Sequence, residues 1–415
     1  MTLTLRVLYI LLSMSNGATA RIWLKPKKDS PIAAGQVWVF KNDIARVEGA
    51  FENGGPADLV DMDGKFLGRG LVSLDSNLLF RIFARQPVPI DNRFLRRRIS
   101  EAIDLRKRSC LPNPETNAFR LVFAEADGLP GLVVDRFGDG LVLSALTVGI
   151  DRRKADLARE LLALTGLKSV YERSDSAVRK HEGLEPSTGF LAGEGPVEVV
   201  VLENGIKFHV NVALGMKTGH FCDQRENRLL IRRFAKCARA LDVFSYTGGF
   251  ALNLAAAGAE SVVCVDQAEE SLEALQRNID LNGFDPARFD IRAANAFKFL
   301  REISSAEPQS FDLVVLDPPA FTKDRAGLEG ALRGYKEINL RGLKLVKNGG
   351  YLLTCSCTHH VDRFAFRDLL RRAAKDTHRR LRLIGEYGHA PDHPVILNLP
   401  ESDYLKAILV QAVEF

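Results

Sequence analysis

Residues 351–360, YLLTCSCTHH, set two thiols two positions apart with two imidazoles directly behind them. Four chemistries suit those residue types. A metal site is one, but Cys355, Cys357, His359 and His360 are more crowded than the usual C-x2-C arrangement. A disulfide is the second, and between residues two apart it is geometrically strained. Two packed, inert thiols are the third. The fourth is a nucleophile at a strand end. A thiolate there can add to an electrophilic carbon of a substrate and leave again once the reaction is done. Residues two apart share one face of a strand, so both thiols face the same side if the strand runs that far. A free thiol has a pKa of about 8.5, so such a site must also supply positive charge or a base. The sequence does not show which group does so.

Two further stretches carry chemistry. LDVFSYTGGFALNLA places Gly248 and Gly249 after an apolar strand and before a helix, where backbone can approach a ligand closely. Asp266 ends the next strand, at the spacing of an acid that accepts hydrogen bonds from ribose hydroxyls. The dinucleotide fingerprint G-x-G-x-x-G is absent; S-adenosylmethionine has no pyrophosphate and does not require it, and a plain βαβ turn with a strand-end acid is the other reading. In LDPPAF, 316–321, Asp317 ends another apolar strand and two prolines remove two backbone donors. Carbonyls and a carboxylate are thereby offered to the crevice, and Phe321 can stack on a base. Such a D-P-P-aromatic site is typical of methyltransferases acting on nucleic-acid bases.

These residues need a frame. From about residue 197 onward apolar strands alternate with helices, which predicts a parallel, doubly wound α/β sheet. Residues 91–196 read as a small α+β segment beginning with a basic helix that carries Arg93, Arg96, Arg97, Arg98, Arg106, Lys107 and Arg108. Residues 21–90 read as short strands and turns, a small β-barrel-like domain. The 415 residues hold two or three domains, and the net charge of +5 permits a polyanionic partner without demanding one. Six scattered cysteines are not a disulfide framework and favour a reducing compartment. Residues 1–20 are signal-like, with Arg6, an apolar run and Ala18-Thr19-Ala20, but too short to span a membrane. A start placed too far upstream explains them better.

With WVFKNDIARVEG, DGLPGLVVDRFGDGLVL, GMKTGHFCDQREN, FSYTGGFA, LDPPAF, SCT and YLKA in place, the chain from about Arg21 resembles the RlmI-type, PUA-domain-containing 23S rRNA cytosine-C5 methyltransferases. The resemblance implies a PUA RNA-binding domain over 21–90, a central α+β domain over 91–196 and a Rossmann-like class I methyltransferase domain over 197–415. It implies S-adenosylmethionine as cofactor, RNA of the large ribosomal subunit as partner, no metal, and a cytoplasmic enzyme. Oligomeric state stays open, a homodimer included.

Carried over by position, Phe244, Tyr246, Gly248 and Gly249 form the turn on the methionine side and Asp266 holds the ribose. Asn295 stands where an adenine-facing carboxylate is usual; it keeps an acceptor but no charge, which implies weaker binding. Thr218, Asp223, Gln224 and Arg225 come from the loop beside the cofactor. Cys357 is the family's nucleophile, with Asp317 orienting the cytosine edge, whereas Cys355 has no counterpart. Arg96, Arg97, Arg98 and Phe321 are the RNA-binding expectations. The residues leave two alternatives open: methylation of an exocyclic base amine, and a non-catalytic RNA-binding assembly factor on the same fold.

Overall fold

A computed structural model describes residues 19–322 and 324–414. The signal-like run, apart from its last two residues, lies outside them. Residues 21–84 form a six-stranded sheet. Its first strand, Arg21–Leu24, runs antiparallel to Ile44–Glu48 and parallel to Pro56–Val60. Ile22 and Leu24, two apart, are buried with Leu59, Phe80 and Ile82, as strand alternation requires.

The basic run forms the helix Asn92–Arg108, capped by Asp91, whose carboxylate accepts from Phe94 N at 2.9 Å. Leu95, Ile99 and Ala102 pack with Leu121, Val134 and Leu143 of a five-stranded sheet spanning 118–193. The run offers less free charge than its sequence suggests. Arg106 is buried against Asp127 at 2.6 Å and the Asp392 carbonyl at 2.7 Å. Arg96 pairs with Glu160, and Arg97 and Arg98 lie 3.8 and 3.0 Å from Glu101.

The C-terminal sheet comprises β1 (Arg239–Val243), β2 (Ser261–Asp266), β3 (Phe289–Ala293), β4 (Phe311–Leu316), β5 (Val346–Ser356), β6 (Arg380–Tyr387) and β7 (Lys406–Val413), in the order β3-β2-β1-β4-β5-β7-β6. The first five are parallel; β7 runs antiparallel to both β5 and β6. The expected parallel sheet therefore ends in an antiparallel pair. No crossover helix joins β6 to β7, so the chain reverses when it returns beside its neighbour.

Helices α1 (Gly249–Ala256) and α2 (Glu269–Leu281) cover one face, where Phe250, Leu254, Leu275 and Ile279 meet Ala240, Cys264 and Val315. Helices α3 (Ala296–Ala306), α4 (Leu328–Leu345) and α5 (Arg363–Asp376) cover the other, where Leu300, Ile338 and Phe366 meet Val243, Val265 and Val314. The strand order reverses between β1 and β4. In such sheets the crevice outside the carboxyl ends at that point binds ligands.

Candidate active site

The segments after β1, β2, β4 and β5 open onto one cavity of about 500 Å³. The turn after β1 is unusual in conformation. Phe244 and Tyr246 both have positive φ, +68° and +49°, and Gly248 follows at +88°. Two non-glycine residues in the left-handed region are costly, and the neighbouring strand holds them there. Phe244 N and Ser245 N both donate to the Val265 carbonyl, at 2.8 and 3.0 Å. Tyr246 N donates to Asp266 Oδ2 at 2.9 Å. At Gly248 a Cβ would stand 2.2 Å from Leu275 Cδ1.

Asp266 also accepts from Ala268 N at 3.0 Å, so its carboxylate is fixed in orientation with lone pairs left for hydroxyl donors. Asn295 lies at the rim and caps α3, its Oδ1 accepting from Lys298 N at 3.2 Å. Opposite, Gln224 donates to Asp317 Oδ1 at 2.7 Å while accepting from Asn227 at 2.6 Å. Burial and the nearby Asp223 charge push the Asp317 carboxyl up to about 7. Asp223 accepts from the Tyr404 hydroxyl at 2.5 Å. Burial alone would raise its pKa; Lys217, His393 and that hydroxyl outweigh it and hold Asp223 at about 2.

Beyond β5 the two thiols part. The strand ends at Ser356, so it does not run far enough to bring both to one face. Cys355 is buried in the core among Leu353, Ala407 and Leu409. Cys357 lies beyond the strand end and lines the cavity, its sulfur 3.8 Å from the Pro318 carbonyl. Burial, then the Asp317 charge, lift its thiol to about 11, against the pull of Lys217 and Lys406. Thr358 ties the pieces together. Its hydroxyl accepts from Phe321 N at 3.2 Å and meets the Tyr335 hydroxyl at 2.8 Å. The Phe321 ring packs on Tyr335 and Phe297, with centroids 4.4 and 5.5 Å away, and still faces the cavity. His359 and His360 lie on the loop that follows, and no group of three or more potential ligands among the described residues could hold a metal ion.

Phe244, Tyr246, Gly249, Asp266, Asn295, Gln224, Asp317, Phe321 and Cys357 thus converge on one cavity. Thr218 and Arg225 do not. Thr218 donates to Asp135 of the five-stranded sheet at 2.6 Å, and Arg225 pairs with Asp392 at 2.8 Å. Gly248 supports the turn from behind the wall, and Arg96, Arg97 and Arg98 lie on the helix Asn92–Arg108.

Residues 158–410 match the family described as S-adenosylmethionine-dependent methyltransferase, and residues 22–85 match a PUA-like domain. The ribosomal RNA large subunit methyltransferase I of Alteromonas mediterranea is 39% identical over 95% of this chain and 100% of its own length. The enzyme of the same name from Erwinia tasmaniensis is 36% identical over 95% and 100%. The chain belongs to the large-subunit ribosomal RNA methyltransferase I family. A solved structure described as a methyltransferase complexed with SAH shares the fold, with a TM-score of 0.81 at 19% identity over 94% of this chain and 99% of that one.

As a family member the chain is an S-adenosylmethionine-dependent methyltransferase, and the cavity suits that cofactor. A bare glycine turn, a fixed strand-end carboxylate and a capped rim surround a space large enough for a nucleoside. The back wall holds what sequence reading missed. Arg228 donates to both oxygens of Glu203 at 2.9 Å, and His220 Nε2 lies 2.9 Å from the same carboxylate. Burial would raise Glu203, but these two partners outweigh it and hold the acid at about 2. A Cβ on Gly249 would meet Arg228 Nε at 2.5 Å, so the second glycine makes room for this cation as well as for the ligand. The signal was present in the helix Arg225–Ile231: Arg228 follows Gln224 by four residues and so shares its face. Lys406 was missed too. It is buried, donates to the carbonyls of Thr358 and Tyr404 at 2.7 and 2.8 Å, and is lowered by burial to about 8.

Proposed function

We propose that this enzyme forms 5-methylcytidine in large-subunit ribosomal RNA in the cytoplasm, with Cys357 as the nucleophile. The observation that carries the reading is the separation of the two thiols: one lines the cavity beside Asp317 and Phe321, the other is sealed in the core. Phe321, pinned through its backbone to Thr358, stacks on the flipped cytosine. Asp317, held by Gln224 and neutral up to about pH 7, donates to the ring N3. As the Cys357 thiolate adds to C6, electron density moves toward N3 and is stabilised by that proton, leaving C5 electron-rich. S-adenosylmethionine, when bound, supplies the methyl group that C5 takes. A base then removes the C5 proton, the C5–C6 double bond re-forms and the thiolate leaves. Lys217 and Lys406 favour the thiolate. The PUA-like domain and the Arg96–Arg98 stretch hold the rest of the RNA through phosphate contacts, which makes binding salt-dependent.

RNA carrying 5-fluorocytidine tests this directly, because fluorine blocks the final elimination. A gel-stable protein–RNA adduct is expected with S-adenosylmethionine present. Turnover without an adduct, together with loss of a methylated exocyclic amine from the rRNA of a deletion strain, would establish the amine reaction instead.

A further inference from the structure

A second cavity of about 470 Å³ adjoins the first on the side of the central domain. Lys217, Phe221 and Asp223 belong to both walls. Phe221 is the partition. Its ring meets Tyr246 of the cofactor turn edge-on, with centroids 5.3 Å apart, and Lys217 Nζ lies 4.7 Å from its centre. Lys217 itself is exposed and held at a φ of +54° by the loop that carries it.

The far wall is aromatic and carries two paired arginines. Phe123 stands 5.2 Å from His393 and 6.3 Å from Tyr404 between ring centroids. Arg120 lies 5.5 Å over Phe123 and is fixed by Asp135 at 2.5 Å. Arg173 is fixed by Asp175 and by the carbonyls of Val212 and Gly215 at 2.8 and 2.9 Å. Each cation is held at a set position by its paired acid, and Asp175 and Asp223 line the same cavity. His393 is only 2% exposed, and its Nδ1 stands 3.5 Å from the Asp392 carboxylate without closing a hydrogen bond. It is a buried polar group in a cavity wall with hydrogen-bonding capacity to spare.

We propose that this cavity holds the nucleobase adjacent to the target on the same RNA strand, separated from the target by the ring of Phe221. The proposal rests on the RNA-methyltransferase reading above and adds a second base-binding subsite to it. Single-stranded RNA is recognised by splaying successive bases apart, stacking them on aromatic rings and bonding their edges. Here Phe123 offers the stacking surface, the His393 imidazole that lines the cavity an edge contact, and Lys217, at the shared rim, the cation for the phosphate between the two nucleotides. The partition is one ring thick, which suits consecutive nucleotides.

The test compares Val133→Trp, which fills the cavity from the central domain, and Phe123→Ala, which removes the stacking surface, with the parent enzyme on protein-free large-subunit rRNA. KM for RNA should rise about tenfold in each, within the usual contribution of one stacked base. The kcat value and the affinity for S-adenosylmethionine by calorimetry should stay within about twofold. Calorimetry also reports folding; if Val133→Trp does not bind cofactor, Phe123→Ala carries the test. Once mass spectrometry locates the methylated nucleotide, an abasic neighbour should weaken the parent and cost the variants nothing more. Unchanged KM for RNA in folded variants overturns the proposal. An effect on assembled subunits but not on free rRNA overturns it in favour of a protein occupant. A parent enzyme that methylates no RNA at all removes the underlying reading instead, and the subsite with it.

Discussion

The back and the front of the active-site cavity treat charge in opposite ways. At the back, Arg228 is locked between Glu203 and His220, and the buried acid stays ionised far below its ordinary range. At the front, Asp317 faces Asp223, and burial and like charge push both its carboxyl and the Cys357 thiol toward their neutral forms. A buried charge with a fixed counter-charge is structural. Groups in which burial and like charge outweigh the nearby cations keep their protons until a reaction needs them moved, which is how acid and nucleophile chemistry is usually prepared. The same wall residue, Gly249, makes room for the first arrangement while bordering the second.

The contrast breaks most severely at the thiols. Cys357→Ala should abolish both turnover and the 5-fluorocytidine adduct. Cys355→Ala should leave turnover within a few-fold and cost only about 1–2 kcal/mol of stability on denaturant unfolding, as a small buried side chain lost from the core. The reverse pattern would exchange the roles of the two cysteines.

Next comes the back wall. Glu203→Gln leaves Arg228 buried without a counter-charge and should lower unfolding stability by about 3–5 kcal/mol. The acid's folded pKa lies below its unfolded value of about 4.3, so its contribution is full above that value and is lost as pH falls toward 2. Calorimetric melting from pH 6 down to 3 should therefore show a weaker acid dependence in the variant than in the parent. Equal dependence would mean that the cluster is not what holds this wall.

The front wall should show itself in pH–rate behaviour. With Asp317 required protonated and Cys357 required ionised, kcat/KM should climb tenfold per pH unit up to about 7 and then level off, because gain of thiolate is offset by loss of the carboxyl proton. Asp317→Asn keeps a donor that does not titrate. Its rate, though lower, should go on rising between pH 7 and 9 by about a hundredfold. A plateau retained in the variant would free Asp317 from this role.

A smaller effect is expected at the cofactor. Asp266→Ala removes a fixed carboxylate and should weaken S-adenosylmethionine binding by about tenfold to a hundredfold, the range of a hydrogen bond to a charged group. Unchanged affinity by calorimetry would remove the ribose assignment. The smallest effect belongs to Lys406→Met, which should move the rising limb of the pH profile to higher pH by less than one unit while Lys406→Arg restores it. Lys406 is the weaker of the two cations that favour the Cys357 thiolate.

What the residues fixed on their own was local. The apolar run of β1, the glycines after it, the acid ending β2 and the proline-bound acid ending β4 each carried their element and its chemistry in a few adjacent positions. The basic helix and its Asp91 start were legible for the same reason. Whole-chain similarity supplied the family. Long-range placement was not legible. Cys355 and Cys357 differ by two positions, yet one is core and the other cavity, because β5 stops at Ser356 where its pairing with β7 ends at Lys406. Thr218 and Arg225 read as cofactor residues, but acids 83 residues upstream and 167 downstream, Asp135 and Asp392, draw them elsewhere. Arg228 and Glu203 find each other across 25 positions, and Arg106 is buried by a contact 286 positions away. Secondary structure and turn chemistry depend on neighbours in sequence. Burial and counter-charge depend on neighbours in space, and only the packed fold decided which acids kept their charge.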